Sequence, residues 1–260
     1  MNDVALITGA SSGIGKELAT IHAARGGDLV IVARRADQLQ ALKLGLEQAH
    51  GVQVHVIAKD LTERAAPQDL YDEVQAAGIA VNYLINNAGF GGLGTFHERD
   101  WSQDLAMIQL NVVALTELCR LFIPDMVQRN GGRVLNVSST ASLLPGGPLQ
   151  AVYFATKHFV TSFSYGVASE LSDSKVTVTA LLPGATATEF ASTSGMENTD
   201  LFARTVTARS VAEDGYQGML KGQLDVVSGL TTSQKLMMAT LPVSPKKMVL
   251  AQIKNMQTAR

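Results

Sequence analysis

The strongest constraint on this chain lies at its start. A short apolar run, Val4–Thr8, passes directly into Gly9-Ala10-Ser11-Ser12-Gly13-Ile14-Gly15, and a helical stretch follows. Glycines at such a junction let the backbone turn sharply and let a diphosphate approach with no Cβ in the way. The helix behind the turn offers unpaired N–H groups and its positive end to that anion. A glycine-rich turn alone is weak evidence; its weight here comes from sitting where a first buried strand meets its helix.

The rest of the chain repeats the alternation. Val4–Thr8, Leu29–Ala33, Val52–Ala58, Tyr83–Asn86, Arg133–Val137 and Val176–Leu182 read as buried parallel strands, each too short for a helix. Helical stretches begin near Gly13, Ala36, Thr62, Ser102 and Ala151. This pattern predicts an α/β fold, one doubly wound Rossmann domain with a central parallel sheet and helices on both faces. At 260 residues the chain buries roughly three quarters of its surface and needs no disulfide or metal to hold together. With no linker or repeat, residues 1–260 read as one domain. Residues 189–209 form a variable substrate loop and 230–260 an amphipathic C-terminal extension. Ser210-Val211-Ala212-Glu213 reads as a capping box opening a helix, and Leu224–Val227 as a further edge strand. The Met-rich extension, broken by Pro242 and Pro245, is expected to pack on the domain or on a sister subunit.

Several classes of function fall away. Cys119, the only cysteine, lies in an apolar helical run and reads as a buried thiol. One cysteine and five scattered histidines argue against a metal site. A net charge of −2 with acids and bases interspersed argues against nucleic acid. The start lacks signal-peptide character. No uncharged apolar run nears the ~20 residues of a membrane span, and Pro242 stops the longest run near the end, Leu236–Leu241. The expectation is a soluble, cytoplasmic protein.

The glycine spacing is Gly-x-x-x-Gly-x-Gly after Thr8. In this the sequence resembles the short-chain dehydrogenase/reductase family in its single-domain form, over roughly residues 3 to 190. The resemblance implies a nicotinamide-dependent oxidoreductase, with Gly9, Ser11, Ser12, Gly13, Ile14 and Gly15 around the diphosphate. Rossmann enzymes select NAD with an acid at the end of the second strand. Here Ala33 stands at that position, followed by Arg34 and Arg35, which points to the 2′-phosphate of NADP(H). A charge-assisted bond to that phosphate is worth about 1.5–3 kcal/mol. The alternative is two solvated arginines at a helix start, an unfavourable place for cations without an anion. The resemblance favours Arg34 over Arg35. Asp60 or Thr62 can cap the next helix, and by resemblance Asp60 and Leu61 also border the adenine. Asn86-Asn87-Ala88-Gly89 matches a family motif in which Asn87 touches the cofactor.

Tyr153 and Lys157 are four residues apart and share one helix face. A phenol titrates near 10, too high for proton exchange near neutrality. A cation about 4 Å away contributes roughly 4 kcal/mol at an effective dielectric of 20, lowering that value by about three pH units, with desolvation opposing part of this and an oxidised nicotinamide adding to it. Lys157 is thus expected to poise Tyr153 as the acid that protonates a carbonyl oxygen, and also to hold the nicotinamide ribose. By resemblance Ser139 donates to the substrate oxygen, although its gap to Tyr153 is one residue longer than the family's. Ser138 stays open as the alternative, pointing to the other strand face. Asn111 matches the family's proton-relay asparagine. Thr186 and Thr188 match the family's nicotinamide-holding segment after the sixth strand. His158 reads as a packing or interface residue.

These residues together predict an NADPH-dependent reductase of a hydrophobic ketone or aldehyde. A catalytically silent NADPH-binding regulator predicts the loss of at least one of them, and none is missing. A hydrolase built on Ser139 needs a Gly-x-Ser-x-Gly elbow, which is absent. The substrate is expected between the Phe90–Phe96 loop, the Leu143–Gln150 loop and residues 189–209. Phe90, Leu144, Phe190, Met196 and Phe202 make that lining apolar. On the helix of Tyr153, Phe159 and Phe163 are expected to face the core. Phe154, His158, Thr161 and Tyr165 form a stripe needing cover. A homodimer or homotetramer through this helix is the expectation; a tail folded over the stripe, leaving a monomer, is the rival.

Overall fold

The computed structural model describes residues 3–231, 233, 234, 236, 238 and 244–258 of the chain. In chain order the main elements are β1 (Val4–Thr8), α1 (Gly13–Ala23), β2 (Asp28–Ala33), α2 (Ala36–His50), β3 (Val54–Ala58), α3 (Ala66–Ala76) and β4 (Val81–Asn86). Then come α4 (Trp101–Ile108), α5 (Leu115–Gln128), β5 (Gly132–Val137), α6 (Ala151–Glu170) and β6 (Val176–Pro183). The last part holds β7 (Thr186–Ala187), α7 (Phe190–Thr193), β8 (Val206–Thr207), α8 (Ala208–Leu220), β9 (Asp225–Ser228) and α9 (Lys246–Gln257).

Seven strands form one parallel sheet in the order β3-β2-β1-β4-β5-β6-β9. The strand order reverses between β1 and β4, and ligands of doubly wound sheets bind at the carboxyl ends of the strands beside such a reversal. Both faces are covered, so the strands are apolar throughout rather than alternating. In β1, Ala5 and Ile7 face a core completed by Leu18 of α1 and by Val211 and Tyr216 of α8. Leu6 faces the opposite core with Leu70 of α3, Phe122 of α5 and Val160 of α6. A third, smaller cluster joins Tyr153 and Phe154 of α6 to Val249 and Ile253 of α9.

Several local expectations are corrected. The third helix starts at Ala66, not Thr62. Asp60 Oδ1 accepts from the backbone N and the hydroxyl of Thr62 at 3.0 and 2.8 Å, so the pair closes a turn and caps no helix. The α8 cap is Thr207, whose hydroxyl accepts from Ser210 N at 3.1 Å; Glu213 instead pairs with Arg209 at 2.6 Å. Phe159 is 41% exposed, stacked on Phe163, because the outer side of α6 has no further layer over it. Phe154 and Thr161 are buried, so the expected exposed stripe is interrupted. The Leu236–Leu241 run lies largely outside the described residues, as does Pro242.

α4 and α5 are joined by a π-helical segment, Gln109–Ala114, into one 28-residue helix, Trp101–Gln128, long and apolar enough to cross a membrane. The sequence reading, which looked for uncharged runs, did not anticipate this. In the structure Leu115, Leu118, Phe122 and Met126 of this helix are buried against the sheet.

Candidate active site

The carboxyl ends of β1 and β4 are stitched together by side chains. The Thr8 hydroxyl accepts from the backbone N–H groups of Asn87 and Ala88, both at 3.0 Å. Asn87 Nδ2 donates back to the Thr8 and Gly9 carbonyls at 2.9 and 3.2 Å. Gly9 has φ +67°, and a Cβ there would lie 2.8 Å from Asn87 Nδ2; on Gly15 it would lie 2.3 Å from the Gly9 carbonyl oxygen. The turn is therefore closed to any larger residue. Gly13 has φ +54° and packs beside Thr188. Ser12, the N-cap of α1, makes no side-chain cap, so it leaves the first N–H groups of that helix to another acceptor.

The two arginines after β2 divide. Arg34 is 75% exposed, with Asp60 3.9 Å away. Arg35 Nη2 donates to the Ser11 and Ser12 hydroxyls at 3.1 and 3.0 Å and pairs with Glu189 at 2.9 Å. That guanidinium holds the Glu189 carboxyl below its usual range. Arg35 thus ties the phosphate loop to the start of the 189–209 segment. Arg34, Asp60 and the buried Leu61 all border the same cavity.

β5 delivers Ser138 and Ser139 to opposite sides. Ser138 Oγ donates to the Lys157 carbonyl at 2.8 Å and lies 2.7 Å from Thr161 Oγ1, so its hydroxyl is spent on α6. Ser139 Oγ accepts from Ala141 N at 3.1 Å and stands beside the Tyr153 phenol, which it lowers slightly. The longer loop before Tyr153 leaves this meeting intact. Lys157 Nζ donates to the Val137 carbonyl at 2.9 Å and lies 5.8 Å from the Tyr153 ring centre.

Asn111 sits in the π-helical segment, where the looser turn pushes a residue outward. Its Nδ2 donates to the Phe90 carbonyl at 3.0 Å and to Thr156 Oγ1 at 3.2 Å, and its Oδ1 accepts from Phe90 N at 3.2 Å. It anchors the loop after β4. A Cβ on Gly89 would lie 2.9 Å from Asn111 Oδ1 and 3.5 Å from Lys157 Nζ; this spatial requirement went unseen in the sequence motif. Thr186 donates to the Gly184 carbonyl at 2.9 Å, and Thr188 accepts from Phe190 N at 3.2 Å. His158 is bonded to the Phe154 carbonyl at 2.8 Å on its own helix.

Burial dominates both ionisable groups at the centre. It pushes the Tyr153 phenol up to about 12, against a small lowering by Ser139. It pulls the Lys157 ammonium down to about 8. The Lys157 ammonium bonds the Val137 carbonyl, and desolvation outweighs the lowering expected of it at the phenol. Cys119 is buried, accepts from Asn86 Nδ2 at 3.3 Å and is pushed up to about 12 by burial; it is inert.

A cavity of about 700 Å³ runs from Arg34 and the phosphate loop, past Tyr153, Ser139 and Lys157, to an apolar end. Phe90, Leu144, Phe190, Met196 and Phe202 line that end as expected. The sequence reading missed a further wall, formed by α9: Val249, Ile253, Met256 and Gln257 line the cavity too. Their helical spacing was legible; the surface they cover was not.

The short chain dehydrogenase family model matches residues 3–198. The chain belongs to this family and is an oxidoreductase. Very-long-chain 3-oxoacyl-CoA reductase of Anas platyrhynchos is 29% identical to this short-chain dehydrogenase over 230 residues, 85% of this chain and 71% of the relative. The Bos taurus enzyme of the same name is 31% identical, matched over 74% of this chain but only 62% of its own length. A short-chain dehydrogenase from Sphingobium yanoikuyae, solved in complex with NADPH, superposes with a TM-score of 0.83 at 32% identity, covering 99% of this chain and 98% of that one. The bulky-bulky ketone specific alcohol dehydrogenase from Comamonas testosteroni gives 0.79 at 26% identity, with 99% and 97% covered.

Proposed function

We propose that this short-chain dehydrogenase is an NADPH-dependent reductase of bulky, largely apolar ketones or aldehydes. One observation carries the reading: the Tyr153–Ser139 hydroxyl pair lies between a polar, arginine-bearing half of the cavity and an apolar half. The first half fits a dinucleotide phosphate. Its glycines admit no Cβ, its helix start lacks a side-chain acceptor, and Arg34 is exposed with no acid at Ala33. The NADPH complex of the Sphingobium relative and the ketone-reducing relatives support both halves.

The bound cofactor supplies the hydride. Ser139 and Tyr153 hold the carbonyl oxygen between two hydroxyls, and Tyr153 gives its proton to that oxygen as negative charge gathers there. The phenol is protonated at neutral pH, as the acid of the reductive direction must be. The Lys157 ammonium is placed to stabilise the charge the phenol leaves behind and to hold a ribose hydroxyl. Asn111 fixes the loop that frames them.

The test is NADPH oxidation, followed at the nicotinamide absorbance band, against a panel of aryl alkyl and polycyclic ketones. Turnover of the bulky members is expected, with NADPH favoured over NADH. Tyr153→Phe is expected to abolish turnover with cofactor affinity nearly intact. Preference for NADH, or an active Phe variant, would overturn the reading.

A further inference from the structure

Behind the wall that carries Ser139 and Tyr153 lies a group of hydroxyls that the reaction does not touch. Ser138 and Thr161 are buried and Ser142 is half-buried; Thr161 and Ser142 stand outside the lining of the cavity. Ser138 Oγ lies 2.8 Å from the Lys157 carbonyl oxygen and 2.7 Å from Thr161 Oγ1. Thr161 Oγ1 lies 2.8 Å from Ser142 Oγ, which in turn lies 2.8 Å from the Ser139 carbonyl oxygen.

Four short contacts share three hydroxyl protons, and the carbonyls at the two ends decide how. A carbonyl only accepts, so Ser138 gives its proton to Lys157 and Ser142 gives its proton to Ser139. Neither serine has a proton left for Thr161. The Thr161 hydroxyl is therefore the donor in the middle, and it faces an acceptor on each side. It joins α6, which carries Tyr153 and Lys157, to the turn Thr140–Leu143, which Ser139 caps. At the head of that turn the Ser139 hydroxyl oxygen accepts from Ala141 N, so its own proton is left to donate into the cavity that Ser139 lines.

We propose that Thr161 is a positioning residue for the reaction, whose hydroxyl sets the register of the Ser139 turn against α6. This deepens the reductase reading and rests on it. Ser139 and Tyr153 must meet on one carbonyl oxygen, yet they stand on different elements. Apolar packing is non-directional and lets two surfaces slide; a hydrogen bond has a length and an angle to keep. The Thr161 hydroxyl supplies that bond about two helical turns along α6 from Tyr153. Groups held to a fraction of an ångström need such support from residues behind them. Thr161→Val keeps the shape and loses the hydroxyl, whereas Thr161→Ser keeps the hydroxyl and loses a methyl group.

The experiment follows NADPH oxidation by the full chain with a bulky aryl ketone, and titrates NADPH by calorimetry. Thr161→Val is expected to lower kcat about tenfold with NADPH affinity unchanged, against about a hundredfold for a misplacement of about 1 Å. Thr161→Ser is expected to stay near the wild-type rate. In a Ser139→Ala background the Val substitution is expected to cost little more, because it acts through Ser139. Ser142→Ala cuts the same link at a half-buried position and is expected to reproduce the fall, so a misfolded Val variant does not shield the proposal. A wild-type kcat in Thr161→Val or in Ser142→Ala overturns it. So does a Ser variant that falls as far as the Val variant, or an undiminished loss on top of Ser139→Ala. Those results leave the reductase reading intact. If the wild-type protein reduces no ketone, the reductase reading falls, and amide hydrogen exchange decides the link. Residues 139–143 must then exchange faster in Thr161→Val than in the wild type and in Thr161→Ser; equal exchange overturns the proposal.

Discussion

Lys157 pays at neutral pH for the position that makes it useful. Burial lowers its ammonium from 10.5 to about 8. Between those values the unfolded chain keeps a proton that the folded chain has lost, so stability rises with pH there. Below pH 8 the cost of the buried charge is present in full, about 3 kcal/mol. Replacing Lys157 by a neutral side chain of similar length removes that cost and also the bond to the Val137 carbonyl, worth about 1.5–3 kcal/mol for a charged donor. The two largely offset at pH 7, so Lys157→Met is expected to fall in stability relative to wild type as pH climbs from 8 towards 10. Urea unfolding of the cofactor-free protein at both ends of this range checks it; a stability difference that does not change between pH 8 and 10 would refute it. Arg34 offers a second test. Its guanidinium is exposed while Arg35 is held by Ser11, Ser12 and Glu189. Arg34→Ala should weaken NADPH binding by about one to two orders of magnitude, from the strength of one charge-assisted bond, and leave NADH binding unchanged. Calorimetric titration with each cofactor separates this from a general loss of binding.

Among the elements, α9 makes the most specific contribution to the site. It packs through Val249 and Ile253 onto the small cluster around Phe154 and Tyr153, away from the two cores that flank the sheet. Ile253→Ala should therefore open the apolar end of the cavity with little effect on the sheet. The expected outcome is a several-fold rise in KM for a bulky ketone with NADPH affinity unchanged. Hydrogen exchange should show faster opening confined to residues near α9. Equal loss of cofactor binding would mean that α9 supports the whole site. α4 and α5 show a different division of labour: the π-helical segment between them places Asn111 at the loop after β4, while the flanking turns fill one core.

For the whole molecule the open matter is assembly. α9 and the loop before α6 bury Phe154, in the way the monomer reading anticipated, yet they do not cover the outer side of the layer. Trp101 is 60%, Leu105 49% and Phe159 41% exposed, on α4 and α6. Large apolar side chains left outside on adjoining helices are a feature of surfaces that meet a partner. A homodimer, or a tetramer of such dimers, is expected from light scattering at micromolar concentration, and Trp101→Glu should shift it towards monomer. A wild-type mass near the 27.6 kDa of one chain would refute assembly.

Local chemistry alone determined much of this protein. Short apolar runs bounded by turns specify parallel strands, and Gly9 and Gly15 specify a turn that tolerates nothing larger. Tyr153 and Lys157 share a face because four residues nearly complete a helical turn. Strand alternation separated Ser139 from Ser138 in principle; the packing of α6 against the end of β5 showed that the Ser138 hydroxyl is spent on Lys157 and Thr161. What local patterns could not supply were quantities set by distant neighbours. The ionisation of Tyr153 and Lys157 depends on desolvation by residues far along the chain. Arg35 was drawn to Glu189, and Gln150 to Gln257, across sequence separations that no local pattern spans. The amphipathic spacing of α9 announced that one face needs cover, since any helix with an apolar stripe does. That this face closes the substrate end of the cavity was decided by the path of the chain after β9, because burial rewards any apolar surface of the right shape and carries no address.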